Sequence, residues 1–289
     1  MPKSSRSLPL QLALTLVLLT TLPVAAEPAA DESMIGELME LSGLTQQIPR
    51  LPQAYMTFVD QLFVEMDRQH HPVPKSLQQH IRQSFVHALT PERLEPEIRS
   101  RLVHGLPQDT TLATLTWLQS ELGKKITAAE LNTGSAEKSI ELATFVLQLQ
   151  LERPSPERLQ LVRRVEDVTQ GSELATEAWE TVVVAVARAV EAELATKDPQ
   201  RREKLQEHLA SVRASIKGMF QQGRLIEVLF TSRTLTDEEL KRYVDVLEAP
   251  TGRDVTKVVN GAVQGAAITA IQNMQPSLLK SVKPEGDKA

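Results

Sequence analysis

The sequence predicts an all-α protein. Apolar residues recur at three- and four-residue spacing along most of the chain, and the segments so patterned are separated by proline, glycine and capping signals. No region shows sustained two-residue alternation between turn residues. The expected architecture is two related helical-bundle units from an internal duplication, placed after an N-terminal signal peptide.

Residues 1–26 read as that signal peptide. Lys3 and Arg6 form a positive start, Leu8–Leu22 is apolar and uncharged, and Val24-Ala25-Ala26 places small residues before a cleavage site ahead of Glu27. The apolar run is too short to span a ~30 Å hydrocarbon layer comfortably. Retention of the segment as an anchor is the alternative. Residues 27–33, acidic, small and proline-containing, are expected to be a disordered lead.

The first unit is expected over 34–152. Ile35, Leu38, Leu41 and Leu44 space a helix over Met34–Gly43. Pro49 and Pro52 precede a helix over Gln53–Gln69, with Tyr55, Phe58, Val59, Leu62, Phe63 and Met66 inward. His70–Pro74 is a loop, because proline restricts the residue before it and breaks helices. A helix follows over Lys75–Leu89. Thr90-Pro91-Glu92 restarts another, with an N-cap, proline at the first helical position and an acid in the first turn; it ends near Gly105. Asp109 is the expected cap of the next helix, with Leu112, Leu115, Leu118 and Leu122 inward, and Gly123–Asn132 continue or kink it. Ala136–Leu151 is apolar on more than one face, the pattern of a buried helix.

Arg153–Pro156 is the clearest linker, and the second unit is expected over 157–275. Ser155-Pro156-Glu157 starts its first helix, with Leu159, Val162, Val165 and Val168 inward. Ser172–Thr196 contains Val182–Val186, whose β-branched residues suit a strand; the charged flanks and missing turn signals favour helix. Asp198-Pro199 opens a charged helix to about Lys217, followed by a piece over Met219–Thr231. Thr236 and Glu239 have capping-box spacing before a helix that breaks at Pro250-Thr251-Gly252. Val255–Met274 then forms a very apolar helix, uncharged from Val258 to Gln275. Residues 276–289 are expected to be a disordered tail.

The duplication rests on ordered matches. Leu38, Leu41, Leu44, Thr45 and Gln46 lie over Val162, Val165, Val168, Thr169 and Gln170 at an offset of 124, as does Tyr55 over Trp179. Ser76–Ile81 (SLQQHI) matches Lys204–Leu209 (KLQEHL) at 128, and Trp117–Lys125 matches Val246–Asp254 at 129 with Gly123 over Gly252. The offset grows where loops take insertions.

The stretch Leu235–Val255, LTDEELKRYVDVLEAPTGRDV, resembles the signature of the domain-of-unknown-function 2059 family, small helical domains of exported bacterial proteins. Thr236, Glu239, Leu240, Pro250 and Gly252 fit its capped helix and break. Val246 and Leu247 replace the usual aromatic pair, and Ala249-Pro250 stands for Ser-Pro. The likeness covers about 160–275, and about 34–134 more weakly. It implies a helical fold and an exported location, with no catalytic residues.

Composition narrows the function. The 289 residues carry a formal net charge of −5, and loss of Lys3 and Arg6 with the leader makes the chain more acidic, a poor match to nucleic acid. There is no cysteine, which removes disulfides, thiol catalysis and thiolate metal sites. With the leader, this points to the periplasm and to a fold held by its apolar core.

Few residue patterns suggest chemistry. The histidines are His70, His71, His80, His87, His104 and His208, and no HxxxH pair occurs among them. His80 and His208 are equivalent repeat positions: either a shared packing position or a pair across a cleft. Asp237, Glu238 and Glu239 read as a helix start, complementing the helix dipole. No G-x-S-x-G, phosphate loop or dinucleotide fingerprint is present, so no catalytic, cofactor or metal residues are assigned. Gly261 and Gly265 have GxxxG spacing, which permits close helix approach. The last helix is read as a central buried helix, with a homodimer face or a membrane-surface helix as alternatives. The expected function is a non-enzymatic periplasmic binding or scaffolding module for an envelope protein partner. A carrier of an apolar small molecule or lipid is the alternative, and an uncharacterised hydrolase the third.

Overall fold

A computed structural model describes residues 28–70, 72–132, 136–194 and 216–282. The expected signal peptide, His71, His208 and nearly all of the expected charged helix after Asp198 lie outside these residues, so the His80–His208 pairing does too. The elements are α1 (Glu32–Leu41), α2 (Leu44–Gln47), a 3-10 turn (Ile48–Arg50), α3 (Leu51–Arg68), α4 (Lys75–Ala88), α5 (Pro91–Gly105), α6 (Gln108–Leu118), α7 (Glu121–Leu131), α8 (Ala136–Leu151), α9 (Pro156–Thr169), α10 (Gly171–Leu194), α11 (216–231), a second 3-10 turn (Ser232–Thr234), α12 (Asp237–Glu248) and α13 (Pro250–Val282). The described residues contain no strand beyond an isolated bridge between Ala29 and Pro107. The chain is all-α.

Local signals explain most helix ends. Ser155 Oγ accepts from the Arg158 amide at 3.1 Å, and Pro156 opens α9. At α12 the capping box is complete: Thr236 Oγ1 accepts from the Glu239 amide at 3.2 Å, and Glu239 Oε2 accepts from the Thr236 amide at 2.9 Å. The valine run Val182–Val186 is helical within α10, where Val182, Val183, Ala185 and Val186 are buried beside Trp179. Burial against neighbours overrides the strand preference of valine.

Several boundaries differ from the sequence reading. The expected disordered lead is ordered from Pro28. Ala30 is buried, its amide bonds Leu106 O at 3.0 Å, and Asp31 caps α1 by accepting from the Met34 amide at 2.8 Å. Asp109 is not the cap of α6; it lies in the first turn, and Pro107 holds the cap position. The α6–α7 break comes at Gln119-Ser120, before Gly123, because Ser120 Oγ caps the Gly123 amide at 3.0 Å. The break expected at Gly218 is absent: α11 runs through it. The tail is helical to Val282, with Pro276 inside α13 and Leu278 buried.

The larger correction concerns the two units. The helices pack in two apolar clusters, but the clusters do not divide at Arg153–Pro156. The first joins α1, α3, α4 and α5 to α10 and α13, so Val59, Phe63, Ile81, Phe85 and Ile98 share a core with Trp179, Val186, Ala266 and Ile271. The second joins Ile126 of α7 to Val162 and Val165 of α9, Val228 and Leu229 of α11, and Leu240 and Val244 of α12. Each half therefore contributes helices to the other's core. Helical spacing tells which face of a helix is buried, not which helix buries it.

α13 is the common element. It packs against α4, α5, α6, α9, α10 and α12. Its expected buried position holds: Ala262, Ala266, Ala267, Ile271 and Leu278 face the first cluster. The GxxxG pair does not make the close contact. An added methyl at Gly261 would meet nothing within 4 Å, and at Gly265 it would meet the Arg101 guanidinium rather than a helix backbone. The close approach lies instead where Gly105 meets Val258. The alternative reading of α13 as a homodimer face gains no support, since Ala262, Ala266, Ala267, Ile271 and Leu278 are buried inside the chain. No helix among the described residues is long and apolar enough to cross a membrane.

Gly123 and Gly252 share one local geometry. A methyl on either would overlap the backbone carbonyl oxygen of Trp117 or Val246 respectively. Neither clash can be relieved by a side-chain rotation. Gly252→Ala is therefore expected to destabilise the protein by about 1–3 kcal/mol through overpacking. Gly261→Ala, into open space on a helix, is expected to stabilise it by about 0.5–1 kcal/mol. Urea denaturation of the two variants checks both signs.

Candidate functional site

The two clusters meet at the corner where α9 ends and α10 begins, and a cavity of about 380 Å³ lies there. Leu44, Ile126, Val165, Val228, Val255 and Val259 are among its apolar walls, and its polar groups include Glu130, Arg224, Glu227, Tyr243, Thr169 and Asn260 beside serine, threonine and glutamine side chains. The corner is made by Gln170, in the left-handed conformation at φ 53°, and Gly171. Gly171 is required by a neighbour: a methyl there would overlap the Arg224 side chain, which lies against its backbone.

Arg224 organises the polar side. Its Nη1 pairs with Glu227 Oε2 at 2.9 Å, and its Nε faces Glu166 Oε2 at 3.3 Å. Glu166 also holds the start of α10, its Oε1 accepting from the Ser172 amide at 2.7 Å. Burial opposes the Arg224 charge, but Glu227 and Glu166 outweigh it and hold the guanidinium above its ordinary pKa. Arg224 Nε, Glu166 Oε2 and Thr169 Oγ1 are buried without a well-formed hydrogen bond, so the Arg224–Glu166 pair is held by charge rather than by directed bonding.

Across the cavity, Tyr243 Oη donates to Glu130 Oε1 at 2.8 Å, joining α12 to α7. The Tyr243 ring stacks on Trp117 with centroids 5.8 Å apart and planes 11° from parallel. Burial pushes the Glu130 carboxyl above the ordinary carboxylate range, opposed by the Tyr243 hydrogen bond and the Arg224 charge. Burial and the neighbouring Glu130 push the Tyr243 hydroxyl well above its ordinary value, so it stays a donor. Asn260 Nδ2 donates to Thr169 O at 2.9 Å, tying α13 to the corner.

The sequence-singled residues lie elsewhere. His70, His87 and His104 are exposed; the His87 ring bonds Arg93 at 2.9 Å, and His104 Nδ1 bonds Ser100 O at 2.6 Å. His80 is half-buried on α4. Among the described residues no group of His, Asp and Glu is arranged to hold a metal ion. Glu239 takes Lys125 Nζ at 2.7 Å besides closing its capping box, and the Lys125 hydrogen bond holds its carboxyl below the ordinary range. Asp237 pairs with Arg158 at 2.5 Å. The acidic start of α12 is therefore a structural joint to α7 and α9. Sequence reasoning missed Glu130, Glu166, Arg224 and Tyr243, which lie far apart in the chain; the one local signal was Gly171 next to Gln170.

A second cleft of about 540 Å³ runs between α3 and the start of α11, with Val64 and Met219 exposed along it and Trp179 at its base. Against family models, curated proteins and solved structures, the chain matches none.

The Glu130 environment has a pH consequence. A carboxyl whose folded pKa is raised keeps its proton where the unfolded chain has lost it. Its stabilising share is complete below the unfolded value, about 4.3 for glutamate, and is lost as pH rises through the raised folded value. Glu130→Gln is expected to flatten the fall in stability across that window, measured by urea denaturation at pH 4 and 7. Tyr243→Phe, which takes the donor from Glu130, is expected to cost about 1–2 kcal/mol.

Proposed function

We propose that this protein is a non-enzymatic ligand-binding module of the cell envelope, with its ligand site in the cavity where the two clusters meet. The observation that carries this reading is the composition of that cavity. Small-molecule sites occupy about 300–1,000 Å³, with mostly apolar walls and a few converging polar groups. The junction cavity has that size, and its apolar walls carry a larger polar share than such sites usually do. A purely apolar cargo fits less well, because it would leave Glu130, Glu227 and Arg224 facing hydrocarbon. The favoured cargo is a small amphiphile.

The exported location rests on the leader pattern of residues 1–26 and on the likeness of Leu235–Val255 to the domain-of-unknown-function 2059 signature. We also propose that the two halves arose by duplication. The order of elements supports it: α6, α7 and their break are followed 129 residues later by α12, α13 and theirs, with the same glycine geometry at Gly123 and Gly252. At that offset Phe145 and Leu149 of α8, which pack on the second cluster, correspond to Met274 and Leu278 of α13, which are buried in the first.

Native mass spectrometry and thermal unfolding with a panel of short-chain amphiphiles test the binding reading. Bound species and a raised Tm are expected, and Val259→Trp, which fills the cavity, is expected to remove both. Empty protein throughout the panel, with no shift in Tm, contradicts the reading.

A further inference from the structure

We infer that the junction cavity selects amphiphiles whose head is neutral and polyhydroxylated, of which a short alkyl glycoside is the simplest. The inference rests on the ligand-binding reading above and adds the chemistry of the head group.

The charges in the wall already face partners. Arg224 lies between Glu227 and Glu166, at 2.9 and 3.3 Å, and Glu130 accepts from Tyr243 Oη at 2.8 Å. An anionic head would meet Glu130 and Glu227. A cationic head would meet Arg224 and would have to draw a carboxylate from a partner it already holds. Either ion would give up its hydration without an unpartnered countercharge to replace it.

The neutral groups are the ones left open. Gln47 from α2, Thr231 from α11 and Thr256 from α13 line the cavity, and their side chains have no hydrogen-bond partner among the described residues. Thr169 Oγ1 and Arg224 Nε, also of the wall, are buried without a hydrogen bond. Hydroxyls and carboxamides each donate and accept, so three elements bring open groups of the same two-way character to one chamber. A ligand hydroxyl answers such a group in either direction, and it accepts from an N–H such as that of Arg224. Several hydroxyls on one ring reach several of these groups at once, which a head with a single hydroxyl does not. The C–H faces of the ring and the alkyl chain cover Val165, Val255 and Val259.

Isothermal titration of the full chain at neutral pH with hexyl glucoside, hexanol, hexanoate, hexylammonium and free glucose, each below any micellar concentration, separates the possibilities. Hexyl glucoside is expected to bind at least about tenfold more tightly than hexanol, the effect of two neutral hydrogen bonds, and more tightly than either ion. Free glucose, which lacks the chain, is expected to bind at least about tenfold more weakly than hexyl glucoside. Thr231→Val and Thr256→Val, which keep the side-chain shape, are each expected to shrink the glucoside-to-hexanol ratio about fivefold. Thr116→Val, on the exposed face of α6, is expected to leave the ratio unchanged. Equal binding of hexanol and hexyl glucoside, tighter binding of either ion, or a ratio that neither cavity variant moves overturns the polyol head and leaves the binding site standing. Glucose binding as tightly as hexyl glucoside overturns the amphiphile and makes the ligand a free sugar. Failure of every probe to bind overturns the site together with the inference.

Discussion

The fold depends on one long helix that must be small-sided enough to be surrounded. α13 is uncharged from Val258 to Gln275, and alanine occupies its buried positions at 262, 266 and 267. Small side chains let α4, α5 and α10 approach it from different sides without separating from each other. Its direction is set before it begins. Ala249-Pro250 ends the path of α12, and Gly252 permits a backbone approach that any side chain would block. Arg101 and Arg188 then fasten it through Thr269 and Gln275, at 3.1 and 2.7 Å. A helix so placed cannot belong to one half of the chain alone.

That constraint explains where the cavity lies. Two clusters built from interleaved helices around one spine meet imperfectly at the α9–α10 corner, and the gap is lined by whatever the surrounding helices present there. Polar groups at such a junction are costly unless paired. The Glu130–Tyr243 bond and the Glu227–Arg224–Glu166 series provide that pairing from both halves. The same groups that hold the halves in register give the cavity its chemical character. Another joint between the halves, Lys125 to Glu239, lies outside it and is structural.

Much of the helical layout was legible in the residues. The Ser155 and Thr236 caps, the inward stripe of α3 and the buried character of the last helix follow from spacing and capping chemistry, and each signal is local. What escaped was non-local. Nothing in the spacing of Val182 or Ala266 says that Phe63 and Phe85 will cover them, so the chain read as two separate bundles. Gly261 and Gly265 have the spacing of a close helix contact, yet the contact is made at Gly105 by Val258. Asp31 was assigned to a disordered lead because its capping role depends on a chain held in place by Leu106. The cavity's polar groups were illegible for the same reason: Glu130 and Tyr243 are ordinary helix-surface residues until α7 and α12 are brought side by side.

The two tryptophans report on the two clusters separately. Trp179 is buried in the first, and Trp117 stacks on Tyr243 in the second. Urea unfolding of Trp117→Phe and Trp179→Phe, each followed by the fluorescence of the remaining tryptophan, tests whether α13 makes one cooperative unit of both. The account predicts transitions whose midpoints agree once each variant's own stability, measured by circular dichroism, is taken into account, with a common slope. Two well-separated transitions, one for each tryptophan, would contradict it and make the two clusters independent units.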